Sequence, residues 1–123
     1  MVVVIIVGIL ASLAIGNYSR VVERGRLAEA KKIMSNIRQQ AFAYYLDNNA
    51  FTGSLARLGF GDLPSGACDA NNYFRYGVIG GADNFNIWAS RCTASGKGPN
   101  APAAYLVQLW ANGTLNCSDS NIC

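Results

Sequence analysis

Four cysteines, Cys68, Cys92, Cys117 and Cys123, are the side chains of this sequence best suited to chemistry, and all lie in its second half. Cysteines can hold zinc, attack an electrophile or pair as disulfides. Cysteine zinc sites draw on close pairs such as C-x2-C, whereas the separations here are 24, 25 and 6 residues. An even cysteine count in a short chain that opens on an export-like apolar stretch reads instead as two disulfides, which implies an oxidising compartment. Histidine is absent, so Ser-His-Asp and Cys-His nucleophilic arrangements are excluded. The carboxylates Asp47, Asp62, Asp69, Asp83 and Asp119 each stand alone in turn-like stretches. Asp119 with Asn121, or Asp83 with Asn84, offers oxygen ligands without the loop signature of a calcium site. Gly59 and Gly61 lack the preceding strand and following helix of a nucleotide-binding turn. The sequence therefore predicts no catalytic residues, no metal ligands and no cofactor, and does not read as an enzyme.

The charge is concentrated. Arg20, Arg24, Arg26, Lys31, Lys32 and Arg38 fall in one stretch against Glu23 and Glu29, making it +4 in a chain of net charge +3. Such a patch can attract nucleic acid or an anionic membrane. Its position, just after an apolar segment, reads as a solvated helix face outside a membrane anchor, with no specific nucleic-acid partner.

Residues 1–15 carry one polar side chain, Ser12. As a helix they span about 22 Å, short of the roughly 30 Å hydrocarbon core of a bilayer. A cleaved signal peptide would use the small residues around Ser12-Leu13-Ala14, but no basic region precedes the apolar run. A membrane anchor lacking its first residues is a second reading. A buried core helix is a third, and little downstream apolar surface exists to enclose a helix that is apolar on every side. Helical periodicity then continues: Leu27, Met34 and Ala41 repeat every seven residues, and Ala30, Ile37 and Tyr44 follow three behind. Gly25 weakens this amphipathic half by about 1 kcal/mol, and Asp47-Asn48-Asn49 should end it.

Residues 48–72 are glycine-rich and irregular, with Phe51, Leu55, Leu58 and Phe60 as plugs against the helix. Alternating runs at 73–79, 85–91 and 104–110 predict strands with inward faces Phe74-Tyr76-Val78, Phe85-Ile87-Ala89 and Tyr105-Val107-Leu109. Asn112-Gly113 marks a hairpin into a short fourth strand at 114–117. The expected fold class is α+β: a long N-terminal helix whose apolar half protrudes and whose amphipathic half packs on an antiparallel meander of three to four strands. If Ile79 faces Phe85, Cys92 lies level with Asn72 and within reach of Cys68. Cys117 would then be two strands from Cys92, about 9.6 Å, beyond the roughly 7 Å a disulfide tolerates. Cys68–Cys92 with Cys117–Cys123 is thus preferred over the other two pairings, contingent on the meander.

The stretch MVVVIIVGILASLAIGNYSRVVERGRLAEAKKIM resembles the N-terminal helix of type IV pilins and the related pseudopilins, closely over about the first 45 residues and only in general layout beyond them. The resemblance implies a protruding helix half over residues 1–23, an inner-membrane anchor before assembly and filament core afterwards. Residues 24–123 would form the head, with helix 24–47, connecting loop 48–72, sheet 73–117 and a C-terminal disulfide loop 117–123. A disulfide near the C-terminus is common in that family. The implied function is a structural subunit, the major one, of an extracellular pilus-like filament, a homopolymer built by pilus assembly machinery. Val2, Val3, Val4, Ile5, Ile6, Val7, Ile9, Leu10, Leu13 and Ile15 would pack in the filament core. The aromatic residues Phe42, Tyr44, Tyr45 and Phe51 are expected as core and subunit contacts rather than as a conducting path.

Two departures from the family accompany the resemblance. The family's Phe-Thr-Leu-Ile-Glu-Leu, directly ahead of the position of Met1, is missing, so a start at an internal methionine or an absent N-terminus is expected. Those six residues would lengthen the apolar segment to about 31 Å. No residue here takes the role of that glutamate. Gly16 stands where the family usually has proline, and the stretch between Gly8 and Gly16 is where the helix could stretch or melt, unless Gly8 only permits close helix approach. The alternatives are a pseudopilin of a type II-like secretion system and a secreted disulfide-bonded binding domain released by signal cleavage.

Overall fold

A computed structural model describes residues 1–123. One helix, α1 (Val2–Asn48), takes up 47 residues and extends about 70 Å. It is followed by a short 3-10 turn (Ala56–Leu58) and four strands, β1 (Phe74–Gly80), β2 (Phe85–Arg91), β3 (Leu106–Trp110) and β4 (Leu115–Cys117). The strands form one open antiparallel sheet in the order β1-β2-β3-β4, so the fold is the α+β arrangement of a helix laid on a meander.

Only one stripe of the second half of α1 is buried. Leu27, Ala30, Met34, Ile37 and Ala41 are each at most 2% exposed, at the three- and four-residue spacing that puts side chains on one helix face. They meet the inner face of the sheet, where Phe74, Tyr76, Val78, Phe85, Ile87, Ala89, Tyr105, Val107 and Leu109 are all buried. Tyr44 packs against the edge of this core, Leu55 and Leu58 enter it from the connecting loop, and Phe51 and Phe60 cover its rim. The helix stops where Asn49 adopts a left-handed conformation (φ 57°) and donates its N–H to Tyr45 O at 2.7 Å. Asn48 Nδ2 caps the Tyr44 carbonyl at 3.0 Å.

The first hairpin differs by one residue from the sequence expectation. Phe85 faces Gly80, not Ile79, and Cys92 donates its N–H to Tyr73 O rather than lying level with Asn72. Directly opposed residues in an antiparallel pair share a face, so the expected register would have set inward Tyr76 against outward Trp88. The observed register pairs Tyr76 with Ala89 and Val78 with Ile87. The expected hairpin at Asn112-Gly113 is present and leads into β4. Only Gly113 is left-handed (φ 90°), and Gly113 N–H bonds Trp110 O across a three-residue loop, 111–113, while Asn112 Oδ1 accepts the Thr114 N–H. A two-residue type I′ turn would require positive φ at both central positions, and a II′ turn at the first.

Gly80 is fixed by contact. A Cβ there would lie 2.4 Å from the Thr52 carbonyl carbon and 2.8 Å from Gly53 N, backbone that the adjacent Phe51 N–H to Gly81 O bond holds in place. Gly80→Ala is expected to lower head stability by about 2 kcal/mol in thermal unfolding. Gly8→Ala, where an added Cβ meets nothing within 4 Å, should leave it unchanged.

Candidate functional site

Where α1 leaves the head, Glu23 receives four hydrogen-bond donors. Its carboxylate accepts from Arg91 Nε, from Arg91 Nη2 at 3.5 Å, from the Tyr105 hydroxyl at 2.7 Å and from Arg26 Nη1 at 2.9 Å. The Arg91 side chain is 0% exposed and that of Glu23 13%. Arg91 spends its remaining donors on the carbonyls of Tyr73 (2.9 Å), Cys92 (3.3 Å) and Pro99 (3.0 Å). It thereby ties the residue before β1, the segment after β2 and the loop at 99 to one helix position. A buried guanidinium is tolerable only with its donors used and its charge matched. Burial opposes ionisation of Glu23, but the bonds from Arg91 and Tyr105 and the positive charge beside it outweigh burial and hold its carboxyl below the usual range. Burial and the Glu23 carboxylate push the Tyr105 phenol well up, so it stays a donor.

Sequence reading missed this cluster. The available signal was Arg91 itself, which continues the inward parity of Phe85, Ile87 and Ala89 and so is a charged residue at a core position. The cluster also redistributes the basic run. Arg26 is paired to Glu23, Arg38 donates to Ala111 O at 2.9 and 3.2 Å, and Arg24 reaches Asn121 O at 3.3 Å. The bonds of Arg38 and Arg24 fasten the helix to the head, whereas the Arg26–Glu23 pair lies within the helix.

A folded pKa below the reference value of 4.5 stabilises the head above the unfolded pKa. That stabilisation is lost as pH falls through the folded value, because protonation strands the Arg91 charge. Melting temperature should fall on acidification below about pH 4, and Glu23→Gln should flatten this dependence relative to wild type when both are melted at pH 6 and pH 3.

On the other side of Glu23 the helix has no partner. Val2, Val3, Val4, Ile5, Ile6, Val7, Ile9, Leu10, Leu13 and Ile15 are 50–74% exposed. An 18-residue window of α1 has a mean hydropathy of 2.2 with none of it buried, making this the one helix long and apolar enough to cross a membrane. The uncharged stretch runs to Ser19, so it measures about 27 Å rather than 22 Å. Its two serine hydroxyls are satisfied within the helix, Ser12 Oγ donating to Ile9 O at 2.8 Å and Ser19 Oγ to Gly16 O at 3.4 Å, which suits apolar surroundings; its other polar side chains, Asn17 and Tyr18, lie at the end nearest the head. The helix continues unbroken through Gly8, Gly16 and Gly25. An added Cβ at any of the three meets nothing within 4 Å.

Both expected disulfides are present, Cys68–Cys92 with Cα atoms 6.0 Å apart and Cys117–Cys123 with 6.2 Å, and no cysteine is free. The first pins the connecting loop beside Arg91, and closing its loop stabilises by about 3 kcal/mol. The second closes the C-terminal loop, whose Asn121 meets Arg24 of the helix. Compared with known proteins, the chain matches no family model, no curated protein and no solved structure.

Proposed function

We propose that this chain is a structural subunit of a type IV pilus-like surface filament, the major one, held in the inner membrane by its apolar helix half and then polymerised through that half. One observation carries the reading: an uncharged helical segment of bilayer length, exposed on all sides, continues without a break into a helix fastened to a disulfide-bonded head. Bilayer and helix bundle are the two surroundings that cover such a segment all round. Fully burying a large apolar side chain is worth about 1.5–3 kcal/mol, so covering what is still exposed of ten of them yields on the order of 10 kcal/mol. A subunit leaving the filament for water would lose that burial, which holds the polymer together without covalent links. The resemblance of the first 45 or so residues to pilin helices supports the same assembly.

Gold-labelled antibody against the head, applied to cells that make the protein, tests the proposal. Label along filaments supports it. Label confined to the cell envelope favours a pseudopilin-like role, and soluble antigen in the medium favours a released binding domain; either outcome overturns the proposal.

A further inference from the structure

A groove of about 660 Å³ lies where α1 leaves the head. Its floor is Tyr18, Ser19 and Val22 of the helix, and its walls are the 101–105 segment and Ile122 of the C-terminal loop. The walls are preformed. Arg91 Nη2 holds Pro99 O at 3.0 Å, the Ala101 N–H bonds Cys92 O at 3.1 Å, Tyr105 is held by Glu23, and the Cys117–Cys123 bond closes the loop that carries Ile122.

We infer that this groove is the receptor for the apolar helix, residues 1–15, of a second copy of the chain. This rests on the filament reading and names the partner surface within it. The charges in the lining balance, Arg20 and Arg26 against Glu23 and Asp119, with Arg26 bonded to Glu23 and Asp119 accepting the Asn121 N–H, so the groove favours an occupant without net charge. Ala101, Ala103 and Ala104 give it small-residue walls, which let a helix about 10 Å across approach closely. Residues 1–15 supply the matching part: branched apolar side chains, no charge, and no partner in their own chain. A chain cannot fill its own groove, because its helix runs straight from residue 2 past the groove floor without a break. Knob and hole therefore sit on different surfaces of one molecule. Such a heterologous contact propagates into an open polymer when its rotation does not close a ring.

A photoreactive benzoylphenylalanine in place of Ala103, which is exposed on the groove wall, tests this without adding a thiol. Polymer is grown from equal parts of isotope-labelled and unlabelled full-length chain, irradiated, pelleted and digested with trypsin, which cuts after Arg20. A labelled–unlabelled crosslink between the Ala103 peptide and the peptide 1–20 is expected. Ala103→Asp should cut pelleted polymer at least tenfold with the head's circular dichroism unchanged. Polymer that pellets normally with Ala103→Asp, or whose crosslinks join Ala103 only to peptides of the head, overturns the groove assignment and leaves the filament reading standing. Wild-type chain that forms no polymer overturns both.

Discussion

Replacing Ile6 with aspartate is expected to abolish polymerisation while leaving the head folded. Ile6 is the least exposed of the ten branched residues in the apolar half, yet still 50% exposed, so its remaining surface must be covered in any bundle. An aspartate there carries a charge into an apolar interior among side chains that offer no cation, since residues 1–19 hold no lysine or arginine. The penalty for an unpaired buried charge is several kcal/mol, and every subunit of the polymer carries it. At tenfold per 1.4 kcal/mol, the pelleted fraction should fall by two or more orders of magnitude. The head is insulated from the change. Its contacts with α1 begin around Glu23, about 25 Å along the helix from Ile6, so its melting curve should match wild type. Intact polymer made of the Ile6→Asp chain would mean that the apolar half does not lie inside the assembly.

Replacing Glu23 with alanine attacks the other end of the same design. Arg91 would keep its bonds to three carbonyls but lose its counter-charge at a position with no solvent access, and Tyr105 would lose its hydrogen-bond acceptor. Removing one partner of a buried ion pair costs about 3–5 kcal/mol, a large part of a small domain's stability. Urea unfolding should show that loss. The double variant Glu23→Leu with Arg91→Leu should recover part of it, since it removes the stranded charge but leaves the carbonyls of Tyr73, Cys92 and Pro99 without the Arg91 donors. A loss below about 1 kcal/mol in Glu23→Ala would mean that this ion pair does not fasten the helix to the head.

The residues that were legible in the sequence are those whose burial follows a local period. Leu27, Ala30, Met34, Ile37 and Ala41 repeat with the helix, and Phe74 to Val78 and Phe85 to Ala89 alternate with the strand, so each side-chain direction was fixed by its near neighbours. The disulfide partners followed from strand order and survived the register difference, because a one-residue slip moves Cys92 along β1 without carrying it to another strand. The inward sets by themselves imply the observed register, since they require Tyr76 to face Ala89. The Glu23–Arg91 pair was less accessible. Its members are 68 residues apart, and their meeting depends on where the helix crosses the sheet, which no local period encodes. For the same reason the basic run read as a solvated face, although Arg24, Arg26 and Arg38 each find a partner in the folded chain. The apolar half was legible as a problem of burial. The surface suited to it, the groove beside the 101–105 segment, is assembled from three separated parts of the chain.

The most direct measurement is the mass of the N-terminal tryptic peptide of the protein sheared from the cell surface, taken from the fraction that pellets as polymer. If residues 1–15 form the core of a filament, the peptide ending at Arg20 is present there in full, from Met1 or from residues ahead of it. A soluble protein beginning at Ile15, with nothing pelleting, would show instead that the apolar stretch serves only to direct export and is then removed.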